Sequence, residues 1–303
     1  MPKVKEGYIP YDMHEKGWSR RDFLGAAAIL GGAVLLGGSS APLGHAGGFI
    51  ETVDGSADAA RPATRVGNAF LESPLKVVEF TPWVPGETVY EAPNDNRWVA
   101  FRNDDGPWPY SSHETQAIFS SYGIGDKINP ATPGINVRNN PDAALEYVAN
   151  GNVLINHSYS HGYSDRINAA EMELADDVIE AVTGQRPELY APPGLGEGRL
   201  VTEEAARLNK PILSTRVFIG DTDPQYMHDE EHIVATTKAQ IRAGSIIVFH
   251  AETVSHAATR RALHRIIEHV LTNFVPVQMK TLLTANYAAD GTRLPDRPPI
   301  FRP

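Results

Sequence analysis

Short apolar runs alternate with helix-forming segments from about residue 98 to the end of the chain. The runs are rich in Val, Ile, Leu and Phe and comprise residues 98–101, 153–155, 189–190, 217–219 and 246–249. Between them lie segments with apolar residues at helical spacing, of which the clearest are 143–149, 169–182 and 257–274. Continuous apolar strands separated by helices are typical of a parallel sheet covered on both faces. The pattern therefore predicts an α/β fold.

Three segments fall outside this alternation. Residues 47–95 are rich in Gly, Pro, Ala and Asp, with one strand-like patch at 77–80, and they predict an irregular arm. Residues 127–137 contain two prolines and predict a loop. The Pro-rich residues 289–303 predict a surface tail, which leaves residues 96–288 as the expected main domain.

The N-terminus has the layout of an export signal. The pair Arg20–Arg21 precedes an apolar run at 23–36 and a stretch of small residues at 37–48. That run is shorter than the ~20 apolar residues that span a bilayer. The arginine pair resembles the twin-arginine signal, which the export machinery reads. We expect a signal peptide over residues 1–46 and export of the folded protein to a bacterial periplasm or the exterior, with no stable membrane span after cleavage. The alternative is an N-terminal membrane anchor with ordinary positive flanks.

Composition excludes several classes of chemistry. The 27 basic and 37 acidic residues give a net charge of −10, the opposite of the balance in a protein that binds nucleic acid through its phosphates. Cysteine is absent, which excludes disulfides, thiolate ligands and a cysteine nucleophile. No nucleophile elbow of a serine hydrolase is present. A metal must therefore be held by Asp, Glu or some of the 11 His residues.

Two adjacent carboxylates follow the first apolar run. Asp104 and Asp105 precede Gly106, where the chain can turn sharply, so both side chains can face one pocket. Of such a pair, one carboxylate suits a metal ligand and the other a base. The alternative is a plain turn, because Asp-Asp-Gly-Pro is ordinary turn chemistry.

Three histidines are candidates for function. His157 and His161 have the i, i+4 spacing that brings two imidazoles to one side of a helical turn, where their neutral nitrogens can bind Zn²⁺. With one carboxylate they would form a ligand face that leaves positions open for water and substrate. His250 ends the apolar run at 246–249, where a histidine satisfied within the core is the plainer interpretation.

In this order, the elements resemble the polysaccharide deacetylase (NodB-homology) family, also called carbohydrate esterase family four. The matching segments are residues 101–107, 156–161, 190–194 and 245–250, within a resemblance that covers about residues 97–285. The resemblance implies a distorted (β/α) barrel of parallel strands with catalytic residues at their C-terminal ends.

Roles follow from the resemblance position by position. It implies that Asp105, His157 and His161 hold Zn²⁺ or another divalent metal such as Co²⁺. Asp104 is then the general base and His250 the general acid.

The same resemblance implies the groups that meet the substrate. The backbone N–H that follows the paired prolines, at Gly194 beside Pro193, would hold the oxyanion. Tyr159 of the second motif belongs to the expected substrate contacts. No organic cofactor is implied.

The sequence departs from the family pattern beside the base. The third motif normally begins with an Arg that pairs with the base, and this chain has Ala191 there. Arg102 lies two residues before Asp104 on the same strand face, and we expect it to supply the missing charge.

A second departure concerns the acid. The fourth motif normally supplies a Trp wall and an Asp that supports the acid, yet residues 217–226 contain Asp221 and Asp223 without a Trp. We expect Asp221 to pair with His250. Nearby polar and aromatic residues have open roles: Glu252 as a pocket residue, and Trp108 with Tyr110 as a sugar platform or as packing.

The implied function is metal-dependent removal of N-acetyl groups from an amino-sugar polymer or oligomer of chitin or peptidoglycan type. One alternative keeps the metal chemistry and changes the substrate to an O-acetyl ester or a small non-sugar amide. Another is a degenerate deacetylase that only binds cell-wall carbohydrate. Retention of Asp104 and His250 argues against the latter, since binding needs neither base nor acid.

Overall fold

A computed structural model describes residues 82–252, 254–285 and 287. The predicted signal peptide at 1–46, the strand-like patch at 77–80 and the tail at 289–303 lie outside the described residues. Within the described part, no helix combines the length and apolar character needed to span a bilayer.

Eight strands and eight α-helices form the described part of the chain. The strands are β1 (Thr88–Val89), β2 (Trp98–Asp104), β3 (Ile128–Thr132), β4 (Ile155–Asn156), β5 (Ile212–Leu213), β6 (Val217–Phe218), β7 (Ile246–Phe249) and β8 (Val275–Pro276). The helices are α1 (Pro109–Ser121), α2 (Gly134–Asn139), α3 (Pro141–Ala149), α4 (Asp165–Thr183), α5 (Arg199–Arg207), α6 (Glu230–Gln240), α7 (Ala257–Asn273) and α8 (Met279–Thr284).

The sheet is parallel, with strand order β4-β3-β2-β7-β6 and β8 paired to the start of β2. Single bridges from Tyr190 to Asn156 and to Ile212 extend this path from β4 to β5, which pairs with β1. No ladder among the described residues joins β6 to β1, so the ring stays open. This is the distorted barrel of parallel strands that the sequence predicts.

The central strand β2 sorts its side chains between two surroundings. Side chains alternate along a strand, so Phe101 and Asn103 face one way and Arg102 and Asp104 the other. The Phe101 ring packs in the larger core, 5.0 Å from the ring of Phe119 and nearly perpendicular to it. Arg102 and Asp104 face the barrel interior, toward β5. Strand alternation therefore places Arg102 and Asp104 inside the barrel, near the carboxyl end of β2.

Helix α4 confirms the predicted segment at 169–182 and begins four residues earlier. Its first turn is capped by Ser164, whose hydroxyl accepts a hydrogen bond from the Ile167 N–H. It ends at Gly184, which has φ 73°, a conformation that glycine adopts without strain. Met172 and Ile179 lie on its buried face.

Helix α7 confirms the predicted segment at 257–274. Its buried stripe contains Ala258, Ala262, Ile266 and Val270, which are the positions that the periodicity indicates. This helix packs against α6 and covers the outer face of the sheet.

The predicted loop at 127–137 is wrong, because it contains β3 and the start of α2. The prediction depended on Pro130, which cannot donate to a ladder. Successive carbonyls of β3 point to opposite neighbours: Ala131 accepts from Asp105, directly after β2, and Thr132 accepts from His157, directly after β4. Pro130 therefore faces the β4 side, where pairing begins only at Ala131. The proline removes no ladder hydrogen bond.

The predicted irregular arm at 47–95 also contains regular structure at its described end. Residues Thr88–Val89 form β1, which pairs in parallel with β5. A two-residue strand carries too short a pattern to be recognised among prolines and acidic residues.

Candidate active site

The carboxyl end of β2 carries a buried ion pair. The Nε and Nη2 atoms of Arg102 donate to the two carboxylate oxygens of Asp104, at 2.8 and 2.7 Å. The remaining guanidinium nitrogen, Nη1, donates to the carbonyl oxygen of Leu213 at 2.9 Å. Arg102 is 0% exposed, so this is a fully desolvated, bidentate pair. The structure thus brings together the two side chains expected to pair in place of the family's missing Arg.

Asp105 lies in a strained turn immediately after Asp104. Its φ of 74° is in the left-handed region, which is costly for a residue other than Gly and is characteristic of functional sites. Three hydrogen bonds hold the turn: the Asp105 N–H donates to Ala131, and its carbonyl accepts from Asn136 Nδ2 and Trp108 Nε1. The turn aims the Asp105 carboxylate at two histidines.

The ligand atoms of Asp105, His157 and His161 converge. The Oδ1 atom of Asp105 lies 3.3 Å from His157 Nε2 and 2.8 Å from His161 Nε2, and the three atoms are all within 4.8 Å of one another. The Nδ1 atom of His157 is 2.6 Å from the Ala191 carbonyl, which only an N–H can satisfy. Its Nε2 lone pair is therefore directed at the cluster.

This donor set fits a divalent cation. The Oδ1 atom of Asp105 is buried and accepts no hydrogen bond among the described residues, although two imidazole nitrogens lie against it. Burial acts to raise the pKa of Asp105, but the two adjacent histidines and the charge of His250 outweigh it and hold that pKa well below its usual range. An ionised carboxylate with two imidazole nitrogens is a ligand face suited to zinc.

The two histidines do not lie on a helical turn, contrary to the spacing argument. Residues 157–161 form an irregular loop in which Ser158 and His161 have φ values of 64° and 61°. Their rings nevertheless approach to a centroid distance of 5.0 Å. Two left-handed residues thus achieve the proximity that the sequence argument assigned to a helix.

Polar side chains from the elements behind this loop stabilise it. The Asn156 side chain accepts from the Ser158 N–H at 2.8 Å and donates to Asp176 at 2.7 Å, and Asp176 is paired with the buried Lys210 at 3.0 Å. The carboxylate of Glu171 accepts from the Ser158 hydroxyl and the Ser160 N–H. These contacts fix a loop whose backbone is otherwise strained.

A second ion pair lies at the carboxyl end of β7. The His250 Nδ1 atom is 3.2 Å from Asp221 Oδ1, and the His250 backbone N–H donates to Asp221 Oδ2 at 2.6 Å. Burial acts to lower the pKa of His250, but Asp221, with added effects of Asp105 and Asp104, outweighs it and raises the pKa to about 9. His250 therefore carries a proton at neutral pH. The other acidic candidate in this loop, Asp223, is exposed.

Gly194 lies in a tight turn beside the cluster. It has φ 62° inside the turn Pro193–Leu195, and a Cβ atom built there would lie only 2.9 Å from the Tyr163 ring. Both the backbone conformation and the space therefore require glycine. Pro193 is buried at the start of this turn.

Exposed aromatic rings border the cluster. Tyr163 is 72% exposed, and its ring stands perpendicular to that of His161 at a centroid distance of 5.1 Å. Trp108 is 41% exposed and is anchored through Nε1 on the Asp105 carbonyl. Sequence reasoning missed Tyr163, although an aromatic residue two positions after His161 is a usable signal. Tyr110 is exposed on the first turn of α1.

Two candidates are placed away from substrate. The ring of Tyr159 is 1% exposed and packs against the backbone of Gly134 in α2, so it has almost no surface to offer a ligand. Glu252, whose role as a pocket residue the sequence left open, is also 1% exposed and lies behind the Asp104–Gly106 turn.

Comparison with known proteins finds similarity over the part of the chain that carries these residues. Residues 91–212 match the family model described as polysaccharide deacetylase. The chain is 26% identical over 158 residues to the peptidoglycan-N-acetylmuramic acid deacetylase PdaC of Bacillus subtilis, covering 50% of this chain and 32% of that protein. It is 23% identical over 190 residues to a peptidoglycan-N-acetylglucosamine deacetylase of Bacillus cereus, covering 60% and 85%.

A solved structure shows the same fold. It is a CE4 family pseudoenzyme from Bacillus anthracis, which superposes with a TM-score of 0.58 at 19% identity over 69% of this chain and 71% of that one. The chain spans only about a third of the length of the Bacillus subtilis relative. The family model and the relatives thus show that residues 91–212 are similar to polysaccharide deacetylases, and the solved structure shows that the fold is shared.

Proposed function

We propose that this protein is a metal-dependent hydrolase that removes N-acetyl groups from an amino-sugar polymer or oligomer of chitin or peptidoglycan type. One observation carries the proposal: two ion pairs of opposite polarity accompany the Asp105, His157 and His161 cluster. In one pair a cation supports a carboxylate, and in the other a carboxylate supports a protonated imidazole. That is the pairing of proton acceptor and proton donor that amide hydrolysis requires.

Asp105, His157 and His161 are the proposed metal ligands, with zinc or cobalt as the expected ion. The chemistry that such an ion supplies when bound is Lewis acidity toward the acyl group and its attacking water. The residues hold the site in place: Ala191 fixes the His157 tautomer, and the strained turn aims Asp105.

Asp104 is the proposed general base. Its two oxygens accept hydrogen bonds from Arg102, so the carboxylate is held in one orientation by a buried positive charge. It takes a proton from the attacking water as the new carbon–oxygen bond forms. Arg102 is buried and acts through Asp104 rather than by touching substrate.

His250 is the proposed general acid. Asp221 keeps the imidazole protonated, and the proton passes to the leaving nitrogen as the carbon–nitrogen bond breaks. An amine is a poor leaving group until it is protonated, which explains why a hydrolase of amides needs this second pair. The products are acetate and the free amino sugar.

The Gly194 N–H, beside Pro193, is the proposed donor to the developing oxyanion. A backbone donor in a rigid turn needs no reorientation when negative charge appears on the acyl oxygen. The Tyr163 ring, which lies against Gly194 and comes from the loop after His161, is the proposed wall of the substrate site.

The exposed rings of Trp108 and Tyr163 favour a sugar substrate. Each contacts a different member of the metal cluster, Trp108 through Asp105 and Tyr163 through His161. Large exposed aromatic surfaces suit the apolar C–H face of a pyranose ring. The two relatives, named as deacetylases of N-acetylmuramic acid and N-acetylglucosamine in peptidoglycan, support the same substrate class.

Acetate release tests the proposal. The protein is assayed on chitin oligomers, peptidoglycan and acetylxylan with added Zn²⁺, with a chelator, and as the Asp104→Asn variant. We expect acetate from an N-acetylated substrate only in the metal-loaded wild type. Release from acetylxylan alone would favour an ester substrate. No release from any of them by a protein shown to bind one metal per chain contradicts the proposal, and small amides and carbohydrate binding are then assayed.

We further propose that residues 1–46 are a twin-arginine signal and that the enzyme acts in the periplasm or outside the cell. The support is the sequence layout of residues 20–48 and the peptidoglycan substrates named for the relatives. A variant with Arg20→Lys and Arg21→Lys should remain inside the cell, and N-terminal sequencing of the exported wild type should begin near residue 47. Export of the variant at the normal level would contradict this localisation route.

A further inference from the structure

Glu252 is a buried acid for which the proposed mechanism has no use. Its Oε1 atom accepts hydrogen bonds from the Tyr147 hydroxyl at 2.7 Å and from the side-chain amide of Asn103, and its Oε2 atom accepts from the Ser112 hydroxyl. Its backbone carbonyl accepts from the Ser111 hydroxyl. Burying a carboxyl group is costly, and donors from three separate elements are needed here to offset that cost. Such a group at this position suggests a structural or functional role.

The carboxyl group lies directly beneath the turn that carries the base and a metal ligand. Asn103, which donates to it, immediately precedes Asp104 on β2. On the other side of the turn, a Cβ atom built on Gly106 would lie 2.9 Å from the Glu252 carboxyl carbon. The contact continues through Ser112, whose hydroxyl accepts from the Trp108 N–H at 2.8 Å. Glu252 thus meets the turn at its beginning and at its end.

The same group is joined to the segment that carries the acid. Glu252 follows His250 by two residues, and the intervening Ala251 N–H donates to the Asn103 side chain at 3.2 Å. The Asn103 side chain on β2 therefore makes two hydrogen bonds to the segment after His250, accepting from the Ala251 N–H and donating to Glu252. Because Asn103 points to the opposite face of β2 from Asp104, this network lies outside the substrate site.

We infer that Glu252 is a positioning residue that sets the turn at Asp104–Gly106 relative to His250, so that base and acid reach the same scissile bond. The inference rests on the proposed function. Glu252 touches neither substrate nor metal ligand atoms; it acts through Asn103, Gly106 and Ser112.

The ratio of amide to ester hydrolysis distinguishes a positioning role of Glu252 from a simple loss of folded protein. Hydrolysis of an amide needs base and acid to act on one bond, whereas an aryl acetate has a leaving group that departs without protonation. A change in the relative placement of Asp104 and His250 should therefore slow amide hydrolysis more than ester hydrolysis. A smaller fraction of folded enzyme slows both equally.

The experiment compares Glu252→Ala and Glu252→Gln with wild type on an N-acetylglucosamine oligomer and on 4-nitrophenyl acetate, with bound zinc measured in each preparation. We expect Glu252→Ala to lower kcat on the oligomer at least tenfold more than kcat on the ester, with KM and zinc content unchanged. Glu252→Gln keeps the shape and most hydrogen bonds, and should restore the ratio to within about threefold of wild type. Equal losses on both substrates, or a loss that follows zinc content, overturn the inference.

Two further variants separate an effect of the Glu252 network from a general loss of stability. Tyr147→Phe removes one donor to Glu252 and should change the amide-to-ester ratio in the same direction by a smaller factor; an unchanged ratio counts against the inference. Val270→Ala removes buried core volume in α7, away from the network, and should lower the melting temperature while leaving the ratio intact. If wild type cleaves the ester but not the oligomer, the proposed function fails on its own account, and the inference falls with it.

Discussion

The two ion pairs of the site, at the ends of β2 and β7, differ in which member, the carboxylate or the cation, is the proposed reactive group. In the Arg102–Asp104 pair the proposed reactive group is the carboxylate, and a buried guanidinium orients it through two parallel hydrogen bonds. In the Asp221–His250 pair the proposed reactive group is the imidazolium, and a buried carboxylate raises its pKa to about 9. Environment rather than residue type alone thus decides which group accepts a proton and which donates one.

The pairs also differ in how the chain assembles them. Arg102 and Asp104 are two residues apart on one strand, so their contact exists wherever β2 forms. Asp221 and His250 are 29 residues apart on the segments that follow neighbouring strands, so their contact depends on the β6–β7 register. The proposed base is thus supported by a neighbour on its own strand, and the proposed acid by a residue from another strand of the sheet.

The largest expected effect separates the two reactive groups by substrate. Asp104→Asn removes the proposed base and should lower acetate release about 10²–10⁴-fold from both the amide and an aryl ester, because both need an activated water. His250→Ala should lower amide hydrolysis by a similar factor but ester hydrolysis by less than about tenfold, since that leaving group needs no proton. Steady-state kinetics on the two substrates at constant zinc content measure both. Equal selectivity of the two variants would show that the base and acid assignments are wrong.

The next effect concerns stability. Arg102→Met leaves the Asp104 carboxylate buried without a partner, which should lower the free energy of unfolding by about 3–5 kcal/mol, as is typical of half-broken buried pairs. Arg102→Lys keeps the charge but loses the bidentate geometry, and should fall between Met and wild type. Urea denaturation of the three proteins gives the values. A loss below ~1 kcal/mol for Arg102→Met would place that pair on a par with a surface salt bridge.

The contrast between the pairs also marks what the sequence could predict. The Arg102–Asp104 contact follows from strand alternation, which needs only the recognition of β2. The Asp221–His250 contact needed the family resemblance, since no local pattern relates residues 29 apart. Helices α4 and α7 followed from periodicity because their buried stripes are long enough to repeat.

Other features were beyond sequence patterns for identifiable reasons. The strand β3 contains Pro130, which disrupts no ladder hydrogen bond only because β4 begins to pair at the next residue, Ala131. The approach of His157 and His161 uses two left-handed residues that no propensity favours. The network of Glu252 joins β2, α1 and α3, and its members are ordinary polar residues until the fold brings them together.

A smaller expected effect concerns the pH dependence of kcat and tests His250 as the proposed acid. The folded-state pKa of His250 is raised, so the protonated form is present at neutral pH and is lost as the pH rises through about 9. Asp221→Asn removes the main cause of that rise, and the alkaline limb of the pH–kcat profile on the amide should move to lower pH by about one unit or more. The Asp221–His250 pair also adds to the free energy of unfolding, fully below pH ~6.5 and less and less as the pH rises toward 9. The stability difference between wild type and Asp221→Asn should therefore shrink over that range. An alkaline limb that stays in place in the variant would exclude His250 as the titrating acid.

The smallest expected effect lies at the rim, where neither ion pair is involved. Tyr163→Ala removes the exposed ring beside His161 and Gly194 and should raise KM for an N-acetylglucosamine oligomer roughly 2- to 10-fold, the range expected for one aromatic contact. Tyr163→Phe keeps the ring and should stay near wild type. Leu271→Ala, which removes an exposed apolar side chain near the end of α7, is the control and should leave KM unchanged. Because the proposed role of the ring is sugar binding and not proton transfer, kcat and the pH profile should stay at their wild-type values in Tyr163→Ala. A change in kcat with KM constant would instead make Tyr163 a support for His161, and the substrate wall would have to be sought elsewhere.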